Sequence, residues 1–145
     1  MSIRTYIEED LPAILSIYAR SKLDELANEE QEFNVVPLEN DADRFASLRE
    51  SKIFVYEEQR VFGFGALHNS EIRFLFVHPD ARGKGIGETL LQYLLSLAPR
   101  PVSLQVAKTN YNAKSLYSKH GFRTTEEYQT KYDEKLVFAN KMVLG

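Results

Sequence analysis

The sequence predicts a one-domain α/β (α+β) protein over residues 1–145, with its elements in the order β-α-α-β-β-β-α-β-α-β-β, about seven strands and about four helices. Three observations lead there. Four stretches place apolar residues at helical spacing, and short apolar runs of strand length alternate with them. A glycine-rich loop joins one such run directly to a helix. No repeat, low-complexity tract or Pro/Gly/Ser-rich linker divides the chain, and its 145 residues suit a single domain.

Ser2 to Ile7 reads as the first strand. Asp10 is a suitable N-cap and Pro12 is tolerated in a first helical turn. Leu11, Ile14, Leu15, Tyr18 and Leu26 then mark an amphipathic helix from Asp10 to Ala27. The period lapses from Asn28 to Pro37, and a second helix, Glu39 to Arg49, turns Phe45 and Leu48 inward. Lys52 to Glu57 and Val61 to Leu67 are strands joined as a hairpin through the polar Glu57-Glu58-Gln59-Arg60. Gly63 and Gly65 alternate with Phe62, Phe64 and Ala66, which gives one face of that strand close neighbours. Ile72 to Val77 is the next strand, stopped by Pro79 and the glycines. Gly85 to Ala98 is a helix apolar on two sides, through Ile86, Leu90, Leu91, Leu94 and Leu95. Val102 to Val106 is a strand, and Asn110 to His120 a helix with Gly121 as its C′ residue. Phe122 to Tyr128 and Leu136 to Leu144 close the chain as strands.

Composition excludes several function classes. With 43% hydrophobic and 27% charged residues the chain reads as an ordinary soluble globular protein. It has no cysteine, hence no disulfide, thiolate ligand or Cys nucleophile, which suits a reducing compartment. A net charge of −3 and a pI near 5.7 lack the basic footprint of a nucleic-acid binder. No apolar stretch reaches bilayer length, and Met1-Ser2-Ile3-Arg4-Thr5 has no signal-peptide apolar region, so the expected compartment is cytoplasmic, without a membrane partner. No His, Asp or Glu pattern has metal-ligand spacing, so no metal is expected. No G-x-S-x-G nucleophile elbow occurs. Glu29-Glu30-Gln31-Glu32 reads as a solvated loop that would favour cationic acceptors if it lined a site.

The strongest local signal is Arg82-Gly83-Lys84-Gly85-Ile86-Gly87, between the Ile72–Val77 strand and a helix. Three glycines in five residues let the backbone turn tightly and aim several N–H groups at one point. The helix behind adds its positive dipole end, and Arg82 and Lys84 supply charge. A dinucleotide-binding fold would need the motif after its first strand and with different glycine spacing. A P-loop would end in G-K-[ST], which is absent.

The order of elements, this loop and a second motif together resemble the GNAT superfamily of acyl-CoA-dependent N-acyltransferases, over almost the whole chain. The family's Q/R-x-x-G-x-G/A signature reads here as Arg82 to Gly87, preceded by Leu75-Phe76-Val77-His78-Pro79. Its second signature reads as Asn110, Ala113, Leu116-Tyr117 and Gly121-Phe122. The resemblance implies a mixed, strongly twisted sheet whose fourth and fifth strands splay apart, often at a bulge. It implies acetyl-CoA as co-substrate in that gap, its pantetheine arm paired with the backbone of Leu75, Phe76 and Val77. The pyrophosphate would lie on Gly83, Lys84, Gly85, Ile86, Gly87 and Glu88, with Arg82 beside it. Asn110, an N-cap on its own terms, would touch pantetheine, and the small Ala113 would leave room for it.

Tyr117 lies seven residues beyond Asn110, so both fall on one helix face with Ala113 and His120. The resemblance makes Tyr117 the general acid that protonates the departing thiolate. Glu71 is the candidate general base, with His68 and His78 as alternatives. Phe33 and Tyr128, with Val35, Val36 and Tyr132, are candidate acceptor contacts. The expected activity is acetyl transfer from acetyl-CoA to a primary amine, a small molecule or a peptide, by direct attack in a ternary complex. The N–H of Val77 would stabilise the oxyanion. The alternative is a non-catalytic acyl-CoA-binding module or sensor. A monomer or a homodimer is expected.

Overall fold

The computed structural model describes residues 2–145. Its elements are β1 (Ser2–Thr5), α1 (Leu11–Ser21), α2 (Ala42–Arg49), β2 (Lys52–Glu58), β3 (Arg60–His68), β4 (Glu71–Val77), α3 (Ile86–Leu97), β5 (Val102–Ala107), α4 (Tyr111–Lys119), β6 (Arg123–Tyr132) and β7 (Lys135–Leu144). All seven strands form one mixed sheet in the order β1-β2-β3-β4-β5-β7-β6.

Helices cover both faces of its centre. Alternation along β2 sends Ile53 and Val55 to one side, where Ile14, Ile17 and Tyr18 of α1 and Leu48 of α2 pack, with Phe64 and Phe74. Phe54 goes to the other side, against Leu91 and Leu94 of α3 and Tyr117 of α4. The close neighbour expected of the β3 glycines is α3: a Cβ on Gly65 would lie 2.8 Å from the Leu94 Cδ1.

The sheet opens at its middle. β4 and β5 run parallel but pair at Glu71 with Ser103 and Ile72 with Leu104, and no further along. The β3–β4 register slips at that point, Ala66 pairing with Phe74 and Leu67 with Ile72, which leaves Arg73 as a bulge. β7 pairs with β5 along its whole length and carries it away from β4. Beyond Ile72 the two strands therefore bound a wedge.

Three local expectations need correction. Asp10 does not cap α1 with its side chain. Its carboxylate instead accepts two hydrogen bonds from Arg4, at 2.8 and 2.9 Å, and one from the Ile7 N–H at 2.9 Å, around a 3₁₀ turn at Glu8–Asp10. A two-pronged guanidinium fork, charged on both sides, outcompetes a single backbone N–H of the helix. The first helix is α-helical to Ser21 and continues as a 3₁₀ turn over Lys22–Leu26, short of Ala27. β6 runs to Tyr132, past the expected Tyr128, and returns through Asp133 and Glu134, whose φ values of 52° and 59° form a two-residue hairpin turn. Among the described residues no helix is long and apolar enough to cross a membrane.

Candidate active site

The loop after β4 is built as its glycines require. Gly83 and Gly85 have φ of 79° and 75°, the left-handed region, and a Cβ at either would meet nothing within 4 Å. Gly85 is the N-cap of α3, so the free N–H groups of that helix face the same space. A cavity of about 440 Å³ lies there, walled by Leu75, Phe76, Val77, Arg82, Gly83, Gly85, Ile86 and Gly87 on one side and by Asn110, Ala113 and Tyr117 on the other. The N–H of His78 goes to the Phe62 carbonyl of β3 at 2.7 Å. Strand alternation then turns the N–H groups of Val77 and Leu75 away from β3, toward the opening. The Ser21 hydroxyl donates to the Val77 carbonyl at 3.1 Å and ties the end of α1 to this edge.

A second cavity of about 600 Å³ lies on the α1/α2 side of the wedge. Glu25, Leu75, Phe76, Asn110, Ala113 and Tyr117 line both cavities, so the two meet at the splay point. Tyr117 is 8% exposed, with its ring 5.9 Å from that of Phe122. Burial pushes its phenol up, and the nearby Glu25 carboxylate adds to the shift. Asn110 accepts the Ala113 N–H at 3.4 Å, the cap expected of it, while its residue lines both cavities.

Other expected residues sit differently. The side chains of Lys84 and Glu88 do not wall the glycine-loop cavity. The Lys84 ammonium lies over the Phe62 ring at 5.9 Å. Glu88 binds Lys119 at 2.8 Å and His120 at 2.7 Å, fastening α3 to α4, so only its backbone remains at the loop. Arg82 pairs with Asp24 across the cavity mouth. Phe33 walls neither cavity; it packs on Tyr132, ring to ring at 6.3 Å, because both belong to a separate apolar cluster with Leu26 and Val137. Tyr128 does wall the larger cavity, its hydroxyl donating to Gln105 at 2.6 Å. Glu71 walls it too, with its carboxylate held by Arg73 at 2.9 Å. His68 and His78 line neither cavity, and none of Glu29 to Glu32 does.

Sequence reasoning missed Tyr18, Lys22, Glu25 and Arg44, which wall the larger cavity with Tyr132. The Lys22 ammonium lies 4.9 Å from the centre of the Tyr132 ring and 5.8 Å from that of Tyr18. The Arg44 guanidinium lies 5.2 Å from the Tyr132 ring and donates to Asp41 at 2.8 Å. Lys22 pairs with Glu25. Burial pushes the Tyr18 phenol far up, and among the described residues its hydroxyl is the buried side-chain polar atom without a partner. Part of this was legible: Tyr18, Lys22 and Glu25 stand at i, i+4 and i+7, one face of a helix.

A sequence model of the acetyltransferase (GNAT) domain matches residues 49–124, just over half of the chain. The peptidyl-lysine N-acetyltransferase YjaB of Salmonella typhimurium is 36% identical over 73 residues, 50% of this chain and 50% of that protein. The chain thus spans about half the length of the curated relatives it matches. A GCN5-related N-acetyltransferase from Rhodopseudomonas palustris superposes with a TM-score of 0.82 at 21% identity, covering 98% of this chain and 93% of that one. The yncA structure from Salmonella typhimurium, solved with its cofactor acetyl-CoA, superposes with a TM-score of 0.74 at 22% identity, over 99% and 92%. At those identities the likeness is one of fold, a mixed seven-stranded sheet with four helices. By the matched domain, the chain belongs to the GNAT acetyltransferase family.

Proposed function

We propose that the protein transfers an acetyl group from acetyl-CoA to a primary amine, with both substrates held at once in the two joined cavities. One observation carries this: a phosphate-type backbone nest and a separate polar cavity open on the same few residues, Leu75, Phe76, Ala113 and Tyr117, at the splayed edge of β4. The residues fit the donor. The left-handed glycines face open space where a diphosphate needs N–H groups, and Leu75 and Val77 offer an unpaired strand edge to an extended arm. When bound, acetyl-CoA supplies an acyl carbon already activated as a thioester.

This chain's residues do the rest. The Val77 N–H, aimed into the wedge, donates to the carbonyl oxygen as negative charge builds on it. Tyr117, a phenol and so protonated at neutral pH, lines both cavities and donates to the sulfur as it leaves. The amine arrives largely as ammonium and must lose a proton before it attacks. Glu25 lines both cavities whereas Glu71 lines the acceptor side alone, so we assign the proton to Glu25, directly or through water, ahead of Glu71. The acceptor named for YjaB stays with YjaB, whose sequence match covers half of this chain; the family model itself, over 49–124, leaves out α1, most of α2 and most of the β6–β7 hairpin, which wall the larger cavity.

The test is thiol release from acetyl-CoA across a panel of amines, in a protein that has no cysteine to react with the reagent. Release with an amine supports the reading. Saturable acetyl-CoA binding without release from any amine would make the protein a binding module. Tyr117→Phe is expected to lower kcat about 10²-fold while the Kd for acetyl-CoA stays within about twofold. An unchanged kcat would reduce Tyr117 to packing.

A further inference from the structure

We propose that the larger cavity binds a carboxylate on the acceptor, so that the substrate is a small amino acid rather than a lysine side chain of a protein; this rests on the acetyl-transfer reading above. The starting point is the Tyr18 hydroxyl. It is buried, its residue belongs to the cavity wall, and it has no hydrogen-bond partner among the described residues. A buried hydroxyl with nothing to bind is costly, and one just behind a cavity wall gains a partner when an entering group displaces its cover.

Its surroundings say what that is. Arg44 spends one nitrogen on Asp41, and among the described residues its Nε and Nη2 have no hydrogen-bond partner. The Lys22 ammonium, on a side chain 11% exposed, has one partner, Glu25. Guanidinium and ammonium groups donate and never accept, so the group that fits them carries oxygen acceptors. Both cations lie against the ring of Tyr132, at 4.9 and 5.2 Å from its centre. An Arg fork beside a phenol matches a carboxylate.

Charge balance narrows the class. Four cationic and four anionic side chains wall the cavity. A zwitterion leaves that balance intact, whereas a polyamine would add net positive charge. Distance narrows it again. The Tyr18 ring lies edge-on to Phe76 with centroids 5.2 Å apart, and Phe76 lines both cavities. The carboxylate site is thus about one ring from the splay point, near the reacting amine. Glu25, beside Lys22, faces the ammonium end. The reaction balances as R–NH₃⁺ plus acetyl thioester giving N-acetyl amino acid, free thiol and one proton: the N–C bond forms and the C–S bond breaks.

The experiment measures thiol release with each common L-amino acid as free acid and as methyl ester, beside a blocked peptide bearing one lysine. At least one free acid is expected to exceed its ester at least tenfold in kcat/KM. Arg44→Gln and Tyr18→Phe are each expected to cut that acid-to-ester ratio at least fivefold. The second variant removes one unpartnered oxygen and preserves the core, so the test survives if the first fails to fold. Equal rates for acid and ester, or a preference for the peptide, overturn the proposal while leaving acetyl transfer intact. Calorimetry with acetyl-CoA separates the two failures. If acetyl-CoA does not bind, the parent reading falls. The subsite is then judged by titrating the amino acids themselves: binding lost in Arg44→Gln supports it and no binding overturns it.

Discussion

Two buried phenols in one site illustrate how burial separates structure from function. Tyr117 and Tyr18 are both pushed up by desolvation, and both wall the larger cavity. Tyr18, however, is 1% exposed against 8% for Tyr117, and its hydroxyl has no partner among the described residues. Deleting that oxygen removes an unsatisfied buried polar atom, so Tyr18→Phe is expected to raise stability by about 1 kcal/mol in urea unfolding. A fall in stability would mean that the hydroxyl has a partner in solution, such as an ordered water. A residue that costs stability yet faces a cavity is what a binding role leaves behind. Residue-scale chemistry of this kind was half legible. The Asn110, Ala113 and Tyr117 face followed from helical phase alone, whereas the Asp10 assignment failed because Arg4 reaches its carboxylate through the turn, a competition that propensity does not contain.

At the scale of elements, the glycines of β3 and of the loop perform opposite tasks, and substitution separates them. Gly85 needs a left-handed backbone in open space; Gly65 needs the absence of a side chain under α3. Gly85→Ala is expected to cost about 1–2 kcal/mol of stability from the strained φ and to weaken acetyl-CoA binding as the nest distorts. Gly65→Ala, forced against the fully buried Leu94, is expected to cost about 1–3 kcal/mol by overpacking. Its effect on acetyl-CoA affinity should be smaller than that of Gly85→Ala, as calorimetry on the folded variants would measure. If both lose affinity alike, the loop is held through α3 packing and not by its own backbone. The loop was readable because everything it requires lies within six residues. The wall of the larger cavity was readable only in part: Tyr128 and Tyr132 were expected there, whereas Tyr18, Lys22, Glu25 and Arg44 come from stretches far from them in sequence and meet them only in the fold. The Asp133-Glu134 turn hid the length of β6 for a related reason: two left-handed residues occur there without glycine or asparagine to announce them.

On the scale of the whole molecule, the opening of the sheet leaves its strands in two groups, β1 to β4 and β5 to β7, joined by two ladder pairs and by the helices. The first group is fastened at its outer edge by Arg4. From β1, Arg4 binds Asp10 before α1 and Glu57 on β2, at 2.8 Å each, so one guanidinium links strand, sheet and helix. Arg4 holds both carboxyls below their ordinary ranges, chiefly through hydrogen bonds. A carboxylate depressed in the folded state contributes stability that is complete above its unfolded value and is lost as pH falls through its folded one. Stability should therefore hold at neutral pH and fall as pH drops below about 4, the ordinary carboxylate range. Arg4→Met is expected to be less stable at pH 7 and to lose less on acidification, so that the two curves converge as both carboxyls become protonated. Urea midpoints across that range would measure it. Curves that stay parallel would show that the acid limb belongs to other carboxylates, and that the edge of the sheet is held by the burial of Ile3 and its neighbours rather than by charge.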